Sequence, residues 1–266
     1  MATSQMRELL QWVESIADPC TNEWPMVKSP LMPLLATIAY LHLIRIGQVF
    51  MDNKKPLNLK GFMLIYNAFL VGLSTFMFMK FLLAAWPRPE FSWLCQSVDY
   101  SSNLQPIRLA SACWWFYISK YIEFIDTFIF ILRKKNGQVT FLHLYHHATM
   151  PFLWWFVTKW IAGGSAFFSA MVNCFVHIIM YTYYTLSAIG PSMQPYLWWK
   201  RYLTKVQMIQ FVTVMLHTAY VIYSNCGYPR WPMAFLIIYM ASLFILFANF
   251  YSKTYVTKQT SHLKSG

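Results

Sequence analysis

The sequence predicts an all-α membrane protein with seven transmembrane helices, and three observations carry that expectation. Of the 266 residues, 58% are hydrophobic and only 11% are charged, against roughly 25% charged in an ordinary soluble domain. Seven segments reach the roughly 20 mainly apolar residues that a spanning helix needs: 31–51, 61–85, 108–132, 140–160, 165–188, 202–224 and 232–252. The cations between them alternate from loop to loop. No polar linker of domain size interrupts the spans. The chain therefore reads as one domain over 31–252, with a segment 1–30 before it and a basic tail 253–266 after it.

The formal net charge of +12 does not indicate nucleic-acid binding, because the basic residues sit in short loops between apolar spans. Lys54, Lys55 and Lys60 separate spans one and two; Arg133, Lys134 and Lys135 separate three and four; Lys200, Arg201 and Lys205 mark the passage from five to six. Lys253, Lys258 and Lys264 follow the last span. The other connections carry Arg88 with the span-edge Arg108, then Lys159, then Arg230, the first pair offset by Glu90 and Asp99. Positive charge marks the cytoplasmic side. The C-terminus is expected there, and an odd number of spans puts the N-terminus across the membrane.

Residues 1–29 lack a continuous apolar core followed by a small-residue cleavage site, so no removable signal peptide is expected. Met6, Leu9, Leu10, Val13 and Ile16 share a helical face, which suits a short interfacial helix. Cys113 and Cys174 fall within spans. Cys95 and Cys226 fall in loops on the same, oxidising side, where a disulfide between them is expected.

Four polar constellations interrupt the apolar spans. Lys120, Glu123 and Asp126, three apart, line one face of span three, followed by Thr127. His143, His146 and His147 share a face of span four. Asn173 and His177 lie one turn apart in span five, before Met180, Tyr181, Tyr183 and Tyr184, and the amide is expected to orient the ring. Thr204, Gln207 and Gln210 follow at spacing three in span six. Ionisable groups at membrane depth cost about 3 kcal/mol each, so they face a bundle interior or a wet cavity. Counted from the span ends, the groups meet at one depth, about 10 to 15 Å inside the cytoplasmic boundary. That describes a chamber open to the cytosol. It does not suit a receptor, whose polar contacts would crowd the outer half.

Seven histidines, three of them (His42, His217 and His262) away from the cluster, are too few for a two-iron cage of about eight ligands. A single-metal histidine-box redox site is the alternative that the count leaves. The ordered set Lys120-x-x-Glu123-x-x-Asp126-Thr127, His143-x-x-His146-His147, His177-x-x-Met180-Tyr181-x-Tyr183-Tyr184 and Thr204-x-x-Gln207-x-x-Gln210 resembles the four signature motifs of the ELO fatty-acid elongases.

The resemblance implies an endoplasmic-reticulum enzyme that joins a long-chain acyl-CoA to malonyl-CoA, giving a 3-oxoacyl-CoA two carbons longer, CO2 and CoA, with no cofactor and no metal. It implies six helices in a barrel around an acyl tunnel, with the first span outside. It also implies contact with membrane lipid and with the other elongation-cycle enzymes, and it admits a homo-oligomer. On this reading His146 takes the acyl group and His177 assists. Glu123 and Asp126 hold His143 and His147, Lys120 stands with them, and Gln207, Gln210 and tyrosines such as Tyr181 serve the developing enolate. Arg133, Lys134, Lys200, Arg201, Lys205 and Lys253 receive the CoA phosphates.

Overall fold

In a computed structural model, residues 2–86 and 89–257 are described, with only the backbone given for residues 2–4, 6, 7, 9 and 10. Arg88, Lys258, His262 and Lys264 lie outside the described residues, as do the side chains of Met6, Leu9 and Leu10. Among the described residues every regular element is helical. The long helices are α1 (Ala2–Ser15), α2 (Leu31–Met51), α3 (Lys60–Ala85), α4 (Leu104–Ile122), α5 (Ile125–Leu132), α6 (Phe141–Trp160), α7 (Ala166–Ile189), α8 (Lys200–Ser224) and α9 (Arg230–Tyr251). Thr140 caps α6 by accepting the His143 amide on its side chain. Gly190, at φ 117°, ends α7, and Asn225, in the left-handed region, ends α8.

Among the described residues, five helices are long and apolar enough to cross a membrane: α2, α3, α7, α8 and α9, the last extended by a π-helical turn to Val256. The expected spans 108–132 and 140–160 do not join them on those measures, because they carry the polar groups. The expectation of one continuous helix over 108–132 is also corrected. The chain turns at Glu123 and Phe124, where the amides of Asp126 and Thr127 reach back three residues instead of four. This tightening leaves the Ile122 carbonyl without its usual helical donor, and the Tyr66 hydroxyl of α3 donates to it at 3.1 Å.

Neighbouring helices follow a definite order. α3 lies along α7 and against α4, α4 against α6, α6 beside α9, α9 along α8, and α8 against α7. α2 lies against α5 and α6, through a small cluster of Tyr40, Ile44, Met51, Phe124 and Ile131. Gly47 faces Ile131 in that contact, where a Cβ would meet the Ile131 Cγ2 at 3.4 Å, an ordinary packing distance.

The connections gather at two ends. At one end the Leu57 amide bonds the Leu132 carbonyl, and Lys134 Nζ bonds the Asp52 carbonyl. At the other, residues 16–30 form a strap between α4 and α6. Its Asp18 amide donates to the Lys159 carbonyl and its Thr21 hydroxyl to the Thr158 carbonyl. Trp155, Trp114 and Tyr117 donate in return to the carbonyls of Val27, Pro25 and Met26. Lys159 is 1% exposed; its ammonium bonds Glu14 of α1 and the Lys28 carbonyl. The same end carries a Cys95–Cys226 disulfide, with Cα atoms 5.9 Å apart. Gly164 sits beneath Tyr228 so closely that a Cβ would lie 2.7 Å from the ring.

Candidate active site

The turn at Glu123 brings the acidic face of α4 and α5 to the inner side of α7. Lys120 Nζ lies 2.7 Å from Glu123 Oε1 and 4.1 Å from the Phe116 ring centroid, and both partners of the ion pair are almost wholly buried. Ser119 Oγ is 3.2 Å from the same carboxylate oxygen, and His177 Nδ1 is 3.6 Å from it. Tyr181 donates to Asp126 Oδ2 at 2.8 Å. The buried carboxylates are therefore held by an ammonium and by hydroxyl donors, as charges in an apolar interior must be.

The three histidines of α6 project toward this layer. His143 and His147 have ring centroids 4.3 Å apart, and His146 and His147 5.3 Å. His143 Nε2 lies 2.7 Å from the Thr127 hydroxyl, which lies 2.8 Å from the Tyr40 hydroxyl of α2. α6 is fixed to α9 around the same turn by Tyr145 with Ser242 and Thr149 with Tyr239. Pro151 lies inside α6, five residues beyond His146.

Several expected pairings change partners. Glu123 faces His177, and Asp126 takes Tyr181, so neither holds His143 or His147; Thr127 holds His143 instead. Asn173 does not orient His177: its Oδ1 is buried without a hydrogen bond. A carboxylate offers more to an imidazole than an amide does, and the turn at Glu123 supplies one. The Tyr181 hydroxyl is committed to Asp126 and is not a free donor. Gln207 points its amide at the Met180 sulfur, 3.5 Å away.

A cavity of about 290 Å³ opens beside this layer. His146, Asn173 and Gln210 line its polar end, and its walls continue through Met150, Leu153 and Val157 of α6 and Ile161 just beyond it to Tyr228 and Trp231. At about 1.5 Å per residue, α6 covers about 21 Å from His146 to its end at Trp160. The lining is otherwise almost wholly apolar. At the polar end His146 Nδ1, like Asn173 Oδ1, is buried without a partner. Such orphans are rare and costly in a folded interior. Two unmatched polar atoms at the polar end of a long apolar slot suit a ligand with an apolar tail and a polar, reactive head.

The expected anion-binding cations divide. Lys134, Lys200, Arg201, Lys205 and Lys253 are exposed at the histidine end of the bundle, and Arg133 is half-buried there. Arg201 bonds the Tyr202 hydroxyl, and Lys134 is spent on the Asp52 carbonyl. Among the described residues, no three His, Cys, Asp or Glu side chains are arranged to hold a metal ion. Sequence reasoning missed Tyr40 altogether and gave Thr127 no role, because nothing in an apolar span marks which hydroxyl faces a histidine.

The comparisons with known proteins agree with this geometry. The family model for ELO, the GNS1/SUR4 family, matches residues 25–263. Very long chain fatty acid elongase 4 of Homo sapiens is 46% identical over 259 residues, covering 97% of this chain and 82% of that protein. Very long chain fatty acid elongase 1 of Homo sapiens is 44% identical over 251 residues, covering 93% and 89%. Elongase 5 of Tachysurus fulvidraco is 44% identical over 247 residues, covering 93% and 83%. The chain is a member of the ELO family.

Proposed function

We propose that this protein catalyses the condensing step of fatty-acid elongation: a long-chain acyl-CoA and malonyl-CoA give a 3-oxoacyl-CoA two carbons longer, CO2 and free CoA. The observation that carries the reading is His146 at the polar end of a long apolar cavity. The tail of the acyl-CoA lies in the slot, and its thioester reaches the imidazole. His146 attacks the carbonyl, the C–S bond breaks, and CoA leaves as the thiol with the imidazole proton. Malonyl-CoA then loses CO2; its enolate carbon attacks the acyl-imidazole, the C–N bond breaks, and the departing imidazole nitrogen takes one proton from water, which restores the neutral ring. His177, with Glu123 beside it, moves the proton, and Gln210 and Asn173 offer donors to developing oxygen charge.

Helices α3, α4, α6, α9, α8 and α7 form a ring, all of them but α3 lining this cavity, with α2 on the outside; the neighbour order described above supports that arrangement. Seven spans then cross the endoplasmic-reticulum membrane, α4 and α5 together making one. The strap lies in the lumen, and the basic end lies in the cytosol, where Arg133, Lys200, Arg201, Lys205 and Lys253 meet CoA phosphates. Neither a cofactor nor a metal takes part in this scheme. The single-metal redox alternative is not favoured, because His143 is engaged by Thr127 and His177 by Glu123.

The test is condensation by detergent-purified, metal-stripped protein with labelled malonyl-CoA and a panel of acyl-CoAs. Labelled 3-oxoacyl-CoA from wild type and none from His146→Ala is the expected result. Intact mass after acyl-CoA alone then shows one acyl group on wild type. Turnover without the adduct would replace the acyl-imidazole by direct condensation. No product with any acyl-CoA, restored by added metal, would overturn the reading.

A further inference from the structure

Tyr40 belongs to none of the four motifs and sits on α2, outside the helices that line the cavity, yet it ends a buried chain of hydroxyls that leads to His143. It is 2% exposed, stacked on Phe124 at 4.1 Å and held edge-on by Phe128. Its hydroxyl has one hydrogen-bonding partner, the Thr127 hydroxyl at 2.8 Å. Thr127 is fully buried, and its hydroxyl has two partners, Tyr40 and His143 Nε2.

Counting protons gives this chain a direction. Tyr40 and Thr127 bring one hydroxyl proton each. If Tyr40 donates to Thr127, the Thr127 proton goes to His143 Nε2 and both are used. In the reverse order, Nε2–H donates to Thr127 and Thr127 to Tyr40, which strands the phenolic proton in an apolar cluster. A buried donor without an acceptor costs about 1–3 kcal/mol. The forward order wins.

We infer that Tyr40 is a positioning residue for the condensation site, acting through Thr127 to hold His143 as the tautomer with a bare Nε2 and a protonated Nδ1. A hydrogen bond to one imidazole nitrogen decides what the other can do. Here that bond is set from a helix that does not line the cavity. The stacked Phe124 and the edge-on Phe128 keep the phenol in place. The inference rests on the condensation reading for its catalytic consequence, but its geometry can be tested without turnover.

Solid-state 15N NMR of His-labelled protein in lipid, with the His143 signals identified by their loss in His143→Gln, reads the tautomer directly. Wild type should show Nε2 unprotonated and Nδ1 protonated. Tyr40→Phe frees Thr127 to accept or donate, so both tautomers should appear. Thr127→Val, which keeps the shape and drops the hydroxyl, should do the same. In the condensation assay Tyr40→Phe should lower kcat about threefold to tenfold, the effect of one neutral hydrogen bond, with KM for both CoA substrates unchanged. Added to Thr127→Val it should cost nothing more, and Thr127→Ser should retain wild-type kcat. A protonated Nε2 in wild type, an unchanged single tautomer in Tyr40→Phe, or a full additional loss in the double variant would overturn the relay. If wild type makes no product, the condensation reading fails, and the NMR signals still decide the relay.

Discussion

The two ends of the bundle both bury polar groups, and they satisfy them in opposite ways. At the strap end, apart from the Lys159–Glu14 ion pair, charge and hydroxyl meet backbone: Lys159 bonds the Lys28 carbonyl, Thr21 the Thr158 carbonyl, and Trp155, Trp114 and Tyr117 those of the strap. At the histidine end, side chain meets side chain: Lys120 with Glu123, Tyr181 with Asp126, Tyr40 with Thr127 and Thr127 with His143. Each end leaves some polar atoms unmatched. Asn22, Ser101 and Gln105 belong to the strap end, whereas His146 and Asn173 line the cavity. Backbone partners fix a shape whatever the surrounding side chains do. Side-chain networks also fix tautomer and charge, which chemistry requires. One end closes the molecule and the other equips it.

Substitutions can break that division. The largest effect is expected for His146→Ala, which should lower condensation by about 10²–10⁴-fold with little change in thermal unfolding, measured on the same preparation. Lys120→Met leaves a buried carboxylate uncompensated and should cost about 3–5 kcal/mol of stability. Lys120→Met with Glu123→Gln should recover most of that stability in a detergent melt while activity stays low, because Glu123 no longer serves His177. At the other end the pattern should invert. Replacing Cys95 and Cys226 by alanine should cost about 2–4 kcal/mol, yet kcat per folded molecule should hold. Gly164→Ala drives a Cβ into Tyr228 and should cost about 1–3 kcal/mol, again with the rate of the folded enzyme preserved. The smallest effect is expected at Arg201→Ala, a rise in KM for CoA substrates of less than about tenfold that shrinks further at high salt. A strap-end variant that lost turnover at full stability would dissolve the distinction.

The helices were legible in the sequence because apolar length alone marks them; α2, α3, α7, α8 and α9 begin and end within two residues of the expected spans. The turn at Glu123 was not. It goes with the Tyr66 hydroxyl of another helix donating to the Ile122 carbonyl that the turn leaves unmet, a contact that local periodicity does not record. The motif residues could be gathered at one depth from their spacing, but their pairing could not. Asn173 is one turn from His177, yet the stronger partner comes from α4 across the bundle. Tyr40 stayed hidden for a related reason: tyrosine is common in apolar spans, and only its neighbours make it polar machinery. The strap was read only as part of a segment 1–30 before the spans, because its ties run to or from carbonyls, which every residue has.

Those ties also impose an order on biosynthesis. The strap emerges from the ribosome before its partners on α6, Thr158 and Lys159, which follow more than a hundred residues later. Chains elongate at about 5–20 residues per second, so the opening thirty residues wait for several seconds or more with Trp24, Val27 and the other strap residues unsheltered. During that interval the nascent protein depends on whatever at the translocation site tolerates an unpaired, partly apolar leader.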